Sequence, residues 1–197
     1  MLKHLFIALG CLYLAGCSLQ KTQPTLPLGP TLSWQDHQAL LKQYASWELS
    51  GKVGIRTPED NQTASLKWLQ IKQTYQIDIH GPWGQGGASI AGMPGEVTVN
   101  VSGDKQYTGV SPEQILYEKL GWDLPISDIY WWIRGLPSPE KPYTHSLENN
   151  RLKNLQQDGW AIQYLRYNSL TPALPNKLSL SRNDLKITVV INSWIKQ

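Results

Sequence analysis

The sequence predicts a mainly β protein built on an antiparallel sheet, and three observations carry that expectation. Apolar residues recur with period two through most of the chain beyond residue 45. Each such run is apolar on one face only, which suits an antiparallel sheet with one wet face. Helix signals are confined to three short stretches, too few to cover both faces of a large sheet. Strands in such number must curl into a sandwich or a barrel. Three helices suffice to lie inside a curved sheet or across its mouth.

The alternation is explicit. Trp47, Leu49, Gly51, Val53 and Ile55 share one face, with Glu48, Ser50, Lys52 and Arg56 on the other. Ala64, Leu66 and Trp68 follow, then Tyr75, Ile77 and Ile79, then Val97, Val99 and Val101. Towards the end come Trp160, Ile162 and Tyr164, then Leu178 and Leu180, and last Leu185, Ile187, Val189 and Ile191. Ser33 with Asp36 marks a capped helix start, followed by Leu40, Leu41 and Tyr44 on one face. Ser111-Pro112-Glu113-Gln114 opens a second helix with Ile115, Leu116 and Leu120 on its apolar face, ended by Gly121. A third helix is expected from about Ser127 to Arg134, stopped by Gly135 and Pro137.

The amino terminus carries a different message. "MLKHLFIALGCLYLAGC" has a basic start, an apolar run from Leu5 to Leu14 and small residues before Cys17. That is the pattern of a secretory signal peptide, too short for a normal membrane span. Leu14-Ala15-Gly16-Cys17 resembles the bacterial lipobox, which implies cleavage after residue 16 and a lipid anchor on Cys17. Ser18, where an inner-membrane retention signal would place aspartate, points to the outer membrane. Residues 17–32, with Pro24, Pro27 and Pro30, read as the lipidated cysteine and an extended tether. Residues 33–197 form the folded domain. With Cys11 lost in the signal, Cys17 is the one remaining cysteine, so no internal disulfide is expected.

Composition and motifs exclude several classes. The formal charge of +3 and the scattering of Lys and Arg argue against nucleic-acid binding. Lys52, Arg56 and Lys67 could meet an acidic partner, but a solvated strand face is the better explanation. His37, His80 and His145 lie far apart without metal-ligand spacing, and are expected at the surface or in loops. No G-x-S-x-G elbow is present, and the glycine-rich "GPWGQGGASIAG" lacks the Lys-Ser/Thr of a P-loop. No enzyme activity, cofactor or metal is expected. Without a nucleotide motif, any work must be driven by differences in affinity.

Nine tryptophans and nine tyrosines stand against one phenylalanine. Most are expected in the core, but Trp83 sits between Pro82 and Gly84 at a turn tip. A solvated turn gains nothing from an indole, whereas a bilayer surface does. The alternative is that Trp83 folds back onto the sheet.

Long stretches of the chain resemble the LolB family of outer-membrane lipoproteins. They include "SGKVGIR", "LKWLQ", "HGPWGQGGASI", "LGWDLPISDIYWWIRGLPSPE" and the closing segment from Gly159 to Trp194. The resemblance implies an unclosed antiparallel β-barrel with a few helices forming a lid over an apolar cavity. It implies receipt of cargo lipoproteins from a periplasmic, LolA-like carrier and their insertion into outer-membrane lipid. The loop Pro82, Trp83, Gly84 would be the insertion loop, whose bulky residue is commonly leucine in the family. Leu49, Val53, Leu66, Trp68, Ile77 and Ile79 would line the cavity. The helices carrying Leu116, Leu120 and Trp132 would move aside to admit acyl chains. Alternation alone leaves either strand face as the lining. The protein is expected to act as a monomer. An anchored lipid store or sensor, and a hydrolase of envelope glycan or lipid, are the competing readings.

Overall fold

The structure is a computed structural model that describes residues 32–82 and 86–197. The expected signal peptide, Cys17, nearly all of the tether, Trp83 and Gly84 lie outside the described residues. Helix α1 (Trp34–Gln43) leads into six strands, β1 (Ser46–Arg56), β2 (Asn61–Ile71), β3 (Thr74–His80), β4 (Gly87–Met93), β5 (Glu96–Val101) and β6 (Lys105–Gly109). Helices α2 (Pro112–Leu120) and α3 (Ile126–Trp132) follow. The chain ends with β7 (Tyr143–Glu148), β8 (Arg151–Gln157), β9 (Trp160–Tyr167), β10 (Pro175–Arg182) and β11 (Leu185–Lys196).

All eleven strands form one sheet in the order β6-β5-β4-β3-β2-β1-β11-β10-β9-β8-β7. Every pairing is antiparallel. The first and last strands meet at the centre, so β6 and β7 are its edges. Those edges do not pair among the described residues, and the connection between them carries α2 and α3. The barrel is therefore unclosed, as expected.

The faces assigned by alternation hold. Trp47, Leu49, Val53, Leu66, Trp68 and Ile77 are buried in a cluster with Ile162, Leu178, Leu180, Val189 and Ile191 from the other half of the sheet. Leu116 of α2 and Trp132 of α3 join the same cluster, so the sheet wraps its apolar face around these helices. Gly51 shows why one inner position has no side chain. It sits where the β1–β11 register shifts, and a Cβ there would lie 2.1 Å from the carbonyl oxygen of Val190.

The helix starts follow local chemistry. Ser33 Oγ accepts from the Asp36 N–H at the start of α1. Ser111 Oγ does the same for Gln114 at α2, which ends on left-handed Gly121. Helix α3 begins one residue earlier than expected and ends at Trp132. The expectation for His37 is corrected: it is 4 % exposed, on the face of α1 that meets the segment before β10. The apolar stripe of α1 runs through Trp34, His37 and Leu41. Burial first, then Arg151, lowers the His37 pKa, so the neutral imidazole suits that site. His80 and His145 are exposed.

Successive turns of an antiparallel meander alternate between its two ends. The β2–β3 and β4–β5 turns share one end of the barrel. The β1–β2 turn, the two ends of the 81–86 loop and the β5–β6 turn share the other.

Gly51→Ala is expected to destabilise the domain by about 1–3 kcal/mol, because a main-chain oxygen must move. Gly54→Ala, three residues along with no atom nearer than 3.9 Å to its added Cβ, is expected to stay within about 0.5 kcal/mol of the parent. Urea unfolding of the two variants checks the contrast.

Candidate lipid-binding cavity and its lid

A cavity of about 610 Å³ opens between the concave face of the sheet and α3, at the end holding the β2–β3 and β4–β5 turns. That size lies within the roughly 300–1,000 Å³ typical of small-molecule sites. The sheet contributes Trp68, Gln70, Tyr75 and Val97, and the lid contributes Pro112, Ile126, Tyr130 and Trp131. Met93 and Val110 stand at the rim, both exposed apolar side chains. Trp68 is held in place by its Nε1–H, which donates to Gln70 Oε1 at 3.1 Å; Gln70 Nε2 in turn donates to the Lys72 carbonyl at 2.8 Å. Gly92, opposite Tyr75 in the ladder, leaves room for the phenol ring: a Cβ there would fall 2.3 Å from it. Burial, and then the Glu113 carboxylate, push the Tyr75 phenol up to about 12.

The adjacent tryptophans divide their roles. Trp132 is fully buried, while Trp131 is half-buried and borders the cavity. Of the nine residues expected to line a cavity, Trp68 alone borders this one. Leu49, Val53, Leu66, Ile77, Leu116 and Trp132 are buried in the packed interior, with Ile79 and Leu120 half-buried against it.

The lid is fastened unequally. Helix α3 is buckled to the β8–β9 side. Trp132 Nε1–H donates to Gln157 Oε1 at 2.8 Å, and the Tyr164 hydroxyl donates to the Trp132 carbonyl at 2.9 Å. Gln157 also takes the Ser138 N–H and donates to the carbonyls of Ser138 and Lys141. Lys141 bridges buried Asp128 of α3 (2.7 Å) and Asp158 of the β8–β9 turn (2.9 Å). Arg134 ties α1 to the end of α3: it donates to the carbonyls of Tyr44 (3.0 Å), Leu41 (3.4 Å) and Tyr130 (3.1 Å). Its guanidinium lies 4.0 Å over the Tyr130 ring, and burial lowers its pKa to about 10. Helix α2 rests instead on β5 and β6. Gly109 of β6 stands 3.2 Å, measured from an ideal Cβ, from Ile115 of α2.

Glu113 joins the two helices. One carboxylate oxygen accepts from the Ser127 N–H at 2.8 Å, capping α3 from outside, and the other accepts from the Ser111 hydroxyl at 2.7 Å. Burial alone would raise its pKa, but these hydrogen bonds outweigh that and hold it below the usual 4.5.

At the opposite end, the base of the 81–86 loop is pinched. Gly81 N–H donates to the Gly86 carbonyl at 3.3 Å, and Ser102 N–H to the Gly87 carbonyl at 3.1 Å. Gly87 has φ 149°, and a Cβ on it would lie 2.3 Å from the Ile79 carbonyl oxygen. Pro82 is exposed.

Arg134, Gln157 and Asp128 had no place among the expected site residues. Gln157 could have been found as a polar residue at an inward position two along from Leu155. No comparable signal marks Asp128 or Arg134.

An open β-barrel with helices across its gap is a fold found in other solved structures. A LolA-superfamily protein from Nitrosomonas europaea superposes with a TM-score of 0.55 over 82 % of this chain and 93 % of its own, at 9 % identity. The family model described as "Outer membrane lipoprotein LolB" matches residues 45–194. Outer-membrane lipoprotein LolB of Ectopseudomonas mendocina is 40 % identical, across 98 % of this chain and 97 % of its own. That of Pseudomonas syringae is 37 % identical, across 98 % and 96 %. The chain belongs to the LolB family.

Two outcomes follow from the lid. Gln157→Leu is expected to cost about 2–4 kcal/mol in urea unfolding, because Trp132 Nε1–H and the Ser138 N–H lose a buried acceptor. Glu113→Gln is expected to lower the melting temperature at neutral pH. A carboxyl group with a depressed folded pKa stabilises above its unfolded value and loses that as the pH falls through the folded value. The gap between wild type and Glu113→Gln is therefore expected to shrink as the pH drops below 4.5.

Proposed function

We propose that this outer-membrane lipoprotein, anchored through lipidated Cys17, receives lipoproteins from a periplasmic carrier and inserts them into the inner leaflet of the outer membrane. It does so without covalent chemistry of its own. The observation that carries this reading is the lidded cavity of about 610 Å³, walled by Trp68, Val97, Ile126, Tyr130 and Trp131. An acyl chain of about fifteen methylenes at about 0.8 kcal/mol each would cost about 12 kcal/mol to expose to water. Such a chain must stay covered from donor to bilayer. It enters at the cavity mouth, between the exposed apolar residues Met93 and Val110. Parting α2 from α3 then extends the cavity into the interior held by Leu116 and Trp132.

The strand ends from which the 81–86 loop springs, with exposed Pro82, lie at the other end of the barrel, so receipt and release use different ends. Trp83 engages the bilayer. Removing about 200 Å² of ring from water is worth about 5 kcal/mol at about 25 cal/mol per Å².

Trp83→Glu is expected to leave the melting temperature and the uptake of lipoprotein from the carrier unchanged. Delivery to outer-membrane vesicles is expected to slow at least about tenfold. Delivery at the parental rate would remove the tip role. Uptake without delivery by the wild type would identify a lipid store instead.

A further inference from the structure

The outer wall of the barrel carries a second feature that the cavity and its lid do not use. On the outer face of β2, β1 and β11, the register sets Thr63, Gly54 and Thr188 side by side. Lys52 stands two residues before Gly54 along β1. Arg56 stands two residues after it and is directly opposite Lys186. With glycine in the middle, a groove of about 460 Å³ runs between the cations, floored by the two threonines. Thr63 Oγ1 lies 3.9 Å from where a Gly54 Cβ would be.

Among the described residues, none of Lys52, Arg56 and Lys186 forms an ion pair. Lys67, Lys141 and Lys153 each have a carboxylate. The acids of the adjoining turns, Glu59, Asp60 and Asp184, line a neighbouring groove at the hairpin tips that shares Arg56, Asn61 and Lys186 with this one, but none of them comes within ion-pair distance of those cations. The Asp60 carboxylate there already accepts from the Asn61 N–H and the Gln62 amide. Like charges directly opposed in a ladder are unfavourable, and Arg56 facing Lys186 is such a pair. Three unpaired cations around two hydroxyl donors and an empty centre make a site for a tetrahedral oxyanion.

We propose that this groove binds the phosphodiester of an anionic lipid headgroup. The row of Lys52 and Ser65 continues through His80 to Gly87, where the 81–86 loop begins and ends. Lys52 is thus two strands from the base of that loop, roughly 10 Å at the usual strand spacing. A loop seated in the bilayer brings the groove to headgroup level. The choice of a lipid over other anions rests on the membrane role proposed for that loop. The groove holds the barrel wall against the leaflet while the tip engages it.

The test titrates the full-length acylated protein, in uncharged detergent micelles at fixed low salt, with short-chain phosphatidylglycerol. Short-chain phosphatidylcholine and inorganic phosphate are the comparison arms, all read by calorimetry. The triple variant Lys52→Ala/Arg56→Ala/Lys186→Ala empties the groove of charge, and Gly54→Glu fills its centre with a carboxylate. Lys119→Ala/Lys153→Ala removes charge elsewhere. Phosphatidylglycerol is expected to bind wild type and the control at least about tenfold tighter than either groove variant, and tighter than the other two ligands. Equal affinity of wild type and the groove variants overturns the proposal, as does equal affinity for the two lipids. Inorganic phosphate matching phosphatidylglycerol overturns the lipid assignment, and capture of an acidic protein with no lipid binding overturns it in favour of a protein partner. Cargo transfer is not read, so each of these results leaves the delivery function standing.

Discussion

The failure of β6 to pair with β7 governs this molecule. A sheet with one apolar face must bury it, and rolling the sheet inward leaves a gap where the edges do not meet. The gap is bridged by helices rather than by a ladder. Ladder hydrogen bonds run in long cooperative registers, ten residue pairs between β1 and β11 alone. The helices are held by the burial of Ile115, Leu116 and Trp132 and by side-chain hydrogen bonds each worth about 0.5–1.5 kcal/mol net. The bridge is therefore the one part of the described wall that no ladder holds.

Its fastening is divided between the two edges. Trp132, Asp128 and the segment after them are committed to β8 and β9 through Gln157, Tyr164 and Lys141. Helix α2 is committed to the opposite edge by Ile115 over Gly109. Glu113 reaches from one helix to the first free amide of the other. That hydrogen bond spans the two sets of anchors. Arg134, buried without a carboxylate, keeps α1 with the β8–β9 side by binding main-chain oxygens and lying on Tyr130 and Trp131. Without a carboxylate partner, the guanidinium places no second buried charge beside an apolar cavity.

The fold was legible where burial is one-sided and side chains are large. Period-two runs such as Trp47 to Ile55 and Trp160 to Tyr164 identified both the strands and their inner face, since a one-residue slip would expose every tryptophan and leucine in them. The Ser111-Pro112 start and the Gly121 stop fixed α2. Strand β4 was harder, because "GASIAGM" offers alanine and glycine where a strand signal needs bulk. Strand β7 is exposed along its whole length, so no apolar period could mark it. The cavity was the least legible feature. Alternation says which side chains point inward, but which of them face open space depends on where α3 lies. Trp68 meets the void and Leu49 does not because the void opens only at one end. His37 misled for a related reason: a polar residue inside a helix reads as solvated until Trp34 and the chain before β10 are known to cover it.

Under the proposed function, direction without a nucleotide follows from how imperfect the cavity is. Its wall mixes aromatic rings with Gln70, Lys72, Gln73 and Ser127. An acyl chain lying there keeps some polar neighbours that a bilayer interior does not offer, so each methylene leaving for the bilayer gains free energy. A fully apolar, fully closed pocket would hold the chain more tightly and release it more slowly. Under the proposed function, the mixed wall lowers the affinity for an acyl chain relative to the bilayer interior. The same reasoning separates tryptophan from leucine at position 83. An indole gains most at the headgroup boundary, where its ring is dry and its N–H is hydrated. Under the proposed function, the tip therefore works at the depth where an incoming acyl chain first meets lipid, and deep penetration by the protein is unnecessary.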